Sequence, residues 1–146
     1  MNRREFLLKV EGLAAGAAVC GAGLSLGGCI GFHYLNTTVA GNRLILRRAD
    51  FGSGRFALVD APGLQLPLYV YRTDEGEFST VSTRCMHRGC QVEPAAEHLV
   101  CPCHGSEYSN TGEVLQGPTQ QPLRRLPTYV EGETIVIELP AVTSGW

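Results

Sequence analysis

Two short segments rich in cysteine and histidine constrain the fold of this 146-residue chain more than any other feature of its sequence. They span residues 85–90 (CMHRGC) and 101–108 (CPCHGSEY), and they contain four of the six cysteines and two of the four histidines. Each segment has one cysteine and one histidine close enough in sequence to bind a metal together, and one further cysteine. Each also has a glycine, which permits the tight backbone path of a loop that wraps a cofactor. The sequence therefore predicts a site built from two loops.

The metal-binding pairs are Cys85 with His87 and Cys101 with His104, and three interpretations compete for them. The first is one zinc ion held by two cysteines and two histidines, although zinc sites usually pair Cys with Cys at longer spacings. The second is a framework of disulfides alone, which would leave both histidines without a role. The third is a [2Fe–2S] cluster with two thiolate and two imidazole ligands, which accounts for both mixed pairs.

The two segments resemble the Rieske iron–sulfur family, whose pattern is C-x-H-x-G-C followed by C-P-C-H-G-S-x-Y. The resemblance implies a [2Fe–2S] cluster in which Cys85 and Cys101 bind one iron. His87 and His104 would bind the other iron, and electrons would enter and leave at this histidine edge. Since each imidazole keeps one nitrogen free to exchange a proton, we expect electron uptake to be coupled to proton uptake.

The same resemblance assigns roles to residues beside the ligands. It implies a disulfide between Cys90 and Cys103 that joins the two loops over the cluster, and such a bond suits an oxidising compartment. Ser106 and Tyr108 match family positions whose hydroxyls donate hydrogen bonds to a bridging sulfide and to a cysteine sulfur. Because these bonds stabilise the reduced state, they imply a reduction potential in the upper part of the Rieske range, about −150 to +300 mV. Residues 117–123 (GPTQQPL) resemble the proline loop that covers the cluster in this family.

The rest of the chain beyond its N-terminal segment predicts an all-β domain. Apolar and alternating runs bounded by turn residues indicate strands at 43–47, 56–59, 68–71, 78–81, 129–130 and 134–139. Hairpin turns are predicted at 74–77 and 131–133. By the resemblance, residues 41–146 form a Rieske-type antiparallel β-sandwich with a small cluster-binding subdomain, preceded by an N-terminal apolar helix.

The N-terminus has the layout of an export signal. Arg3 and Arg4 precede a run of 21 uncharged residues, 12–32, and the arrangement resembles a twin-arginine signal. A helix of that length spans about 30 Å, which is enough to cross a bilayer. We therefore expect residues 1–35 to form a signal and uncleaved membrane anchor, joined by a short linker at 36–40 to a domain on the periplasmic side. The alternative is cleavage and lipid attachment at Cys29, which ends a segment similar to a lipoprotein cleavage box.

The resemblance implies a function in one-electron transfer. The expected protein is the iron–sulfur subunit of a quinol–cytochrome c reductase of the bc type or a related complex, with little activity on its own. Its implied partners are a cytochrome b-type membrane subunit, a quinol as electron donor and a c-type cytochrome as acceptor. A formal net charge of −2 and the absence of basic runs argue against a nucleic-acid partner.

Some residues depart from the pattern of quinol-oxidising relatives and keep other functions open. Arg88 stands where those relatives commonly have leucine, and residues 85–89 are similar to the motif of ring-hydroxylating oxygenases. One alternative is therefore the Rieske small subunit of a periplasmic oxidoreductase such as arsenite oxidase, which relays electrons without contacting quinol. An oxygenase-associated ferredoxin is disfavoured by the export signal and the extra cysteine pair. A structural zinc module is the remaining alternative.

Overall fold

The computed structural model describes residues 32–140, and this part of the chain is all-β, as predicted. Its strands are Tyr34–Leu35 (β1), Thr38–Ala40 (β2), Arg43–Arg47 (β3), Phe56–Val59 (β4), Leu68–Arg72 (β5), Phe78–Ser82 (β6), Glu93–Ala95 (β7), His98–Val100 (β8), Glu107–Ser109 (β9), Val114–Gln116 (β10), Arg125–Leu126 (β11), Thr128–Glu131 (β12) and Thr134–Glu138 (β13). A short 3-10 helix spans Arg48–Phe51. The six strands and two hairpins expected from the sequence are confirmed.

The predictions for the N-terminus concern residues that lie almost entirely outside this range. The twin-arginine signal and the lipid site at Cys29 fall before residue 32, as does all but the end of the expected anchor at 1–35, whose last two residues form β1. Within residues 32–140, no helix has the length and apolar character needed to span a bilayer.

The strands form three sheets. Sheet 1 has the order β1-β4-β5-β6-β11, sheet 2 the order β12-β13-β3-β2, and sheet 3 the order β10-β9-β8-β7. All neighbouring strands are antiparallel except β1 and β4, which pair in parallel. Sheet 3 supplies the small subdomain that was expected around the two loops, because the loops lie directly before β7 and before β9.

Sheet 1 is buried on both faces, and this explains why β4 and β5 are continuous apolar runs. Alternate residues of a strand point to opposite faces. Val59 and Val70 pack in one cluster with the inward residues of sheet 2. Leu58 and Tyr69, their sequence neighbours, pack in a second cluster with residues of sheet 3 and of both loops. The second cluster, which we call the lower core, therefore supports the site directly.

Sheet 2 is less deeply buried than sheet 1, and its strand β3 alternates between buried and more exposed positions. In β3, Leu44 and Leu46 are buried, whereas the two arginines at the strand ends are exposed. Ile135 and Ile137 of β13 face the same cluster. The alternation in β3 is typical of a strand with one covered face, whereas β13 is a short run of three consecutive buried apolar residues.

The segment before β3 differs from the expected linker at 36–40. Thr38–Ala40 forms β2 and pairs with β3, so these residues belong to sheet 2 and not to a linker. Tyr34–Leu35 pairs with β4, and the amide of Leu58 donates to the carbonyl of His33 at 2.9 Å. Both strands are too short to show a hydrophobic period, so nothing in their composition marks them as strands.

A glycine in the turn between β9 and β10 yields a stability prediction. Gly112 has a φ of +88°, and a Cβ there would lie 3.0 Å from Val81 Cγ1 and 3.1 Å from Leu123 Cβ. Gly132, in the β12–β13 turn, also has a positive φ but open space around it. Both Gly→Ala variants adopt an unfavourable left-handed conformation, but only Gly112→Ala also overpacks the lower core. We expect Gly112→Ala to lose about 2 kcal/mol more unfolding free energy than Gly132→Ala in urea titrations; equal losses would show that the turn does not pack as described.

Candidate metal centre

The first loop, residues 85–90, is a closed turn between β6 and β7. The amide of Cys85 donates to the carbonyl of Cys90 at 2.8 Å, and the amide of Gly89 donates to the carbonyl of Cys85 at 2.8 Å. Gly89 has a φ of +79°, which side chains disfavour. The guanidinium of Arg84 lies where a Cβ on Gly89 would point, with its nearest nitrogen at 3.2 Å. The positive φ favours glycine at this position, and an added side chain would also have to displace the Arg84 guanidinium.

The second loop, residues 101–106, lies between β8 and β9 and repeats this hydrogen-bonding pattern. The amide of Cys101 donates to the carbonyl of Ser106 at 2.8 Å, and the amide of Gly105 donates to the carbonyl of Cys101 at 3.0 Å. Gly105 has a φ of +75°. In this equivalent turn the histidine stands fourth instead of third, which accounts for the different Cys–His spacings of the two segments.

The predicted disulfide joins the two loops. Cys90 and Cys103 are bonded, with their Cα atoms 6.5 Å apart. The sulfurs of Cys90, Cys101 and Cys103 lie within 4.8 Å of one another. Because two of these sulfurs form the disulfide, only Cys101 keeps a sulfur that can bind a metal.

The two remaining cysteines of the loops are free thiols that lie deep in the protein. Cys85 is 2% and Cys101 1% exposed, and both belong to the lower core. Burial raises the pKa of each thiol. At Cys85, hydrogen bonds from the Tyr108 hydroxyl and the His87 amide more than offset burial, so the pKa is lowered. At Cys101, burial and the neighbouring Cys85 sulfur leave the pKa raised. Hydrogen-bond donors around a buried sulfur stabilise its thiolate form, which is the form that binds a metal.

The two histidines lie together at the surface. The ring centroids of His87 and His104 are 4.9 Å apart and the ring planes are nearly perpendicular, at 88°. Both side chains belong to exposed residues. The loops thus place two imidazoles at the surface and two thiols in the interior. Two soft sulfur donors and two imidazole donors form a set that fits a Rieske-type [2Fe–2S] cluster.

Tyr108 is placed to donate a hydrogen bond to a thiol of this set. Its hydroxyl oxygen lies 3.3 Å from Cys85 Sγ and accepts the Met86 amide at 3.2 Å. The side chain is fully buried, and burial together with the adjacent Cys85 raises its pKa. The phenol therefore keeps its proton, and because the oxygen already accepts from Met86, that proton is available to the sulfur.

Ser106 is held from the opposite side by the segment that was expected to be a proline loop. Its hydroxyl oxygen accepts the backbone amide of Thr119 at 3.2 Å, and Ser106 is fully buried. The side-chain amide of Gln116, the last residue of β10, donates to the carbonyl of Gly105 at 3.4 Å, so β10 and the following segment each contact the second loop. Sequence reasoning overlooked Thr119 because its contact to Ser106 uses a backbone amide, which every non-proline residue has.

The contacts found for the two other histidines within residues 32–140 do not involve this donor set. His98 lies in β8, and its Nε2 is 3.7 Å from Glu107 Oε2 of β9. His33 is exposed and precedes β1.

Comparison with known proteins places these observations in a family. Residues 42–129 match the Rieske [2Fe-2S] domain. The chain is 41% identical over 64 residues to the cytochrome b6-f complex iron-sulfur subunit of Chlorobaculum thiosulfatiphilum, covering 42% of this chain and 35% of that protein. It is 32% identical over 89 residues to the corresponding subunit of Chlorobaculum tepidum, covering 55% and 49% of the two chains.

A solved structure gives the same result for the fold. The plasma membrane Rieske protein PetC3 from the cyanobacterium Synechocystis PCC 6803 is 34% identical and superimposes with a TM-score of 0.55. The match covers 63% of this chain and 94% of that one. By contrast, the chain spans about half or less of the two curated relatives, at 49% and 35% of their length.

The disulfide yields the prediction for this site. It closes a loop with a sequence separation of 13, and a cross-link of that size restricts the unfolded chain. We expect the Cys90→Ala/Cys103→Ala double variant of the iron-free protein to lose about 3 kcal/mol of unfolding free energy in urea titrations. Added reductant should lower the unfolding free energy of the unsubstituted protein to the value of the variant, and it should leave the unfolding free energy of the variant unchanged. A variant that unfolds at the same urea concentration as the unsubstituted protein would contradict a stabilising role.

Proposed function

The chain belongs to the Rieske [2Fe-2S] domain family, and from this membership we propose that it carries single electrons as the iron–sulfur subunit of a quinol–cytochrome c reductase or a related electron-transport complex. The observation that supports this most strongly is the pair of imidazoles of His87 and His104. They lie 4.9 Å apart at the surface, above two thiols that are almost completely buried. Of the four proposed ligands, a partner would therefore meet the two imidazoles first.

The proposed ligands are the four residues that the loops bring together. Cys85 and Cys101 would hold one iron through their thiolates, and His87 and His104 the other through a ring nitrogen each. When bound, the cluster supplies reversible one-electron transfer. The neutral imidazoles, in place of two further thiolates, make the site less negative and so favour the reduced state.

The histidine edge suits a quinol as electron donor. A quinol releases a proton with each electron that it gives up. Its oxidation is therefore favoured when a proton acceptor lies at the point of contact. Each imidazole has one nitrogen left for a proton when the other binds a metal. The exposure of His87 and His104 makes that nitrogen reachable by a bound quinol.

Hydrogen bonds from the interior would raise the reduction potential. The Tyr108 hydroxyl, 3.3 Å from Cys85 Sγ, and the buried hydroxyl of Ser106 are the proposed donors toward the cluster. Each such donor stabilises the additional negative charge of the reduced state. A high potential fits the step from quinol to a c-type cytochrome.

The partners and location follow from the same proposal. A cytochrome b-type membrane subunit would receive the histidine edge and supply the quinol site, and a c-type cytochrome would accept the electron. The N-terminal segment would attach the protein to the membrane, through an apolar helix or a lipid on Cys29, with the domain on the periplasmic side. The disulfide between Cys90 and Cys103 supports an oxidising compartment.

A second function is favoured by one residue. Arg88, next to His87, is exposed where an apolar tip would suit a membrane subunit. A cation there suits a polar protein surface, as in the small subunit of a periplasmic oxidoreductase such as arsenite oxidase. In that role the site would relay electrons without contact to quinol.

Purification of the native complex distinguishes the quinol-oxidising function from the relay function. We expect the protein to co-purify with a cytochrome b-type subunit, and a quinol analogue to produce the paramagnetic signal of the reduced cluster. Oxidised c-type cytochrome should then abolish that signal. Co-purification with a molybdenum-cofactor subunit, together with no reduction by quinol, would reject the quinol role and establish the relay.

A further inference from the structure

We infer that the protein which accepts the electron docks at the histidine edge through an acidic face, and that Arg88 is the residue that pairs with a carboxylate of that face. The inference rests on the proposed role of His87 and His104 as the point of electron exit. It adds the charge of the acceptor and the residue that recognises it.

The backbone that carries Arg88 is held beside the histidine edge. Arg88 directly follows His87 and is exposed. The amides of Cys85 and Gly89 close the first loop on either side of it, and Cys90 is bonded to Cys103 of the second loop. A contact residue on a backbone that is already fixed loses less conformational freedom on binding than one on an open loop.

The guanidinium of Arg88 is available to a partner. Other arginines of the domain pair with carboxylates, among them Arg43 with Glu138 and Arg55 with Asp74. For Arg88, no ion pair is found within residues 32–140. A guanidinium keeps its charge at every accessible pH, and its planar donors fit a carboxylate in a two-point contact. Arginine is also one of the residues that most often dominate the binding energy of protein interfaces.

The segments that surround the histidines contain no carboxylate to compete for this cation. Residues 83–92 and 99–106, which include the two loops, have neither aspartate nor glutamate, and the same is true of residues 114–130, which include the proline loop. The nearest acidic residues in the sequence are Glu93 and Glu107, which flank Val100 in one row across sheet 3. They lie on the opposite face of that sheet from Leu99 and Tyr108 of the lower core, and Glu107 faces His98.

A second cation belongs to the same loop region. The guanidinium of Arg84 lies against Gly89, with its nearest nitrogen 3.2 Å from the position of a Cβ there. The chain as a whole has a formal net charge of −2. An acidic acceptor is therefore attracted to this surface but not by the total charge of the protein. Such an arrangement orients a partner during encounter, so that its acidic face meets the histidines first.

The local charge can be measured with two small oxidants of opposite charge. The full chain, loaded with its cluster and reduced with dithionite, passes one electron to each molecule of hexacyanoferrate(III), an anion, or of tris(phenanthroline)cobalt(III), a cation. We expect oxidation by the anion to slow as salt is added and oxidation by the cation to accelerate, because salt screens attraction and repulsion alike. The opposite pair of salt dependences would overturn the inference.

Arg88→Gln tests whether this residue supplies the charge. At an ionic strength of about 0.01 M, we expect the rate with hexacyanoferrate(III) to fall about fivefold and the rate with the cobalt complex to rise by a similar factor. A change in reduction potential would shift both rates in the same direction, so opposite changes report on charge. Arg88→Lys keeps the charge and should keep both rates.

The matched control is Arg43→Gln, which removes the same charge from an exposed position in β3 of sheet 2. It should change either rate by less than about twofold, since its distance from the histidine edge allows salt to screen it. Equal effects of Arg88→Gln and Arg43→Gln would show that only the net charge matters and would overturn the inference. Unchanged rates in Arg88→Gln would do the same.

A binding measurement extends the test to an acceptor of protein size. A basic c-type cytochrome is compared with the same cytochrome after succinylation of its lysines, which makes its surface acidic. By calorimetry at low salt, we expect the oxidised, cluster-loaded protein to bind the succinylated form more tightly, and Arg88→Gln to weaken that binding about fivefold. Tighter binding of the basic form would overturn the inference. None of these measurements uses quinol, so a protein that quinol does not reduce would reject the proposed quinol role without affecting them.

Discussion

The structure depends on how two thiols are accommodated side by side in the protein interior. A buried sulfur that is to carry negative charge needs hydrogen-bond donors, since an uncompensated buried charge is strongly unfavourable. Backbone amides of the two loops oppose the effect of burial on the pKa of each thiol, and the Tyr108 hydroxyl lies beside Cys85 Sγ. The consequence is visible at Cys85, where these donors lower the thiol pKa in spite of burial. The loop geometry is thus set by the chemistry of the sulfurs.

The loops can hold this geometry because they are attached to a sheet that is covered on both faces. The lower core contains both thiols together with Tyr108 of sheet 3 and Tyr69 of sheet 1. The site is therefore continuous with the hydrophobic core. The disulfide joins the loops on the outer side, and the segment that contains Thr119 contacts the second loop through Ser106. Of the four proposed ligands, the two histidines are exposed and the two cysteines are buried.

The sequence predicts the parts of this arrangement that leave a periodic or chemical pattern. β3 and β13 were predictable because each is an apolar run bounded by polar residues, and the donor residues because cysteine and histidine stand at fixed spacings. β1 and β2 were not, because strands of two or three residues have no measurable period. Thr119 was missed for a different reason, since it contacts Ser106 through a backbone amide, which no motif specifies. The disulfide partners and ligand roles came from the family resemblance, and their spacing alone left zinc open.

The central claim is that two thiolates and two imidazoles hold one two-iron cluster. Pulsed electron paramagnetic resonance of the reduced protein, grown with ¹⁵N-labelled histidine, tests it most directly. The account predicts two strongly coupled histidine nitrogens, and loss of the normal spectrum when His87 or His104 is replaced. A reduced cluster with no coupled histidine nitrogen would contradict the account, because the ligands would then have to be sulfur alone.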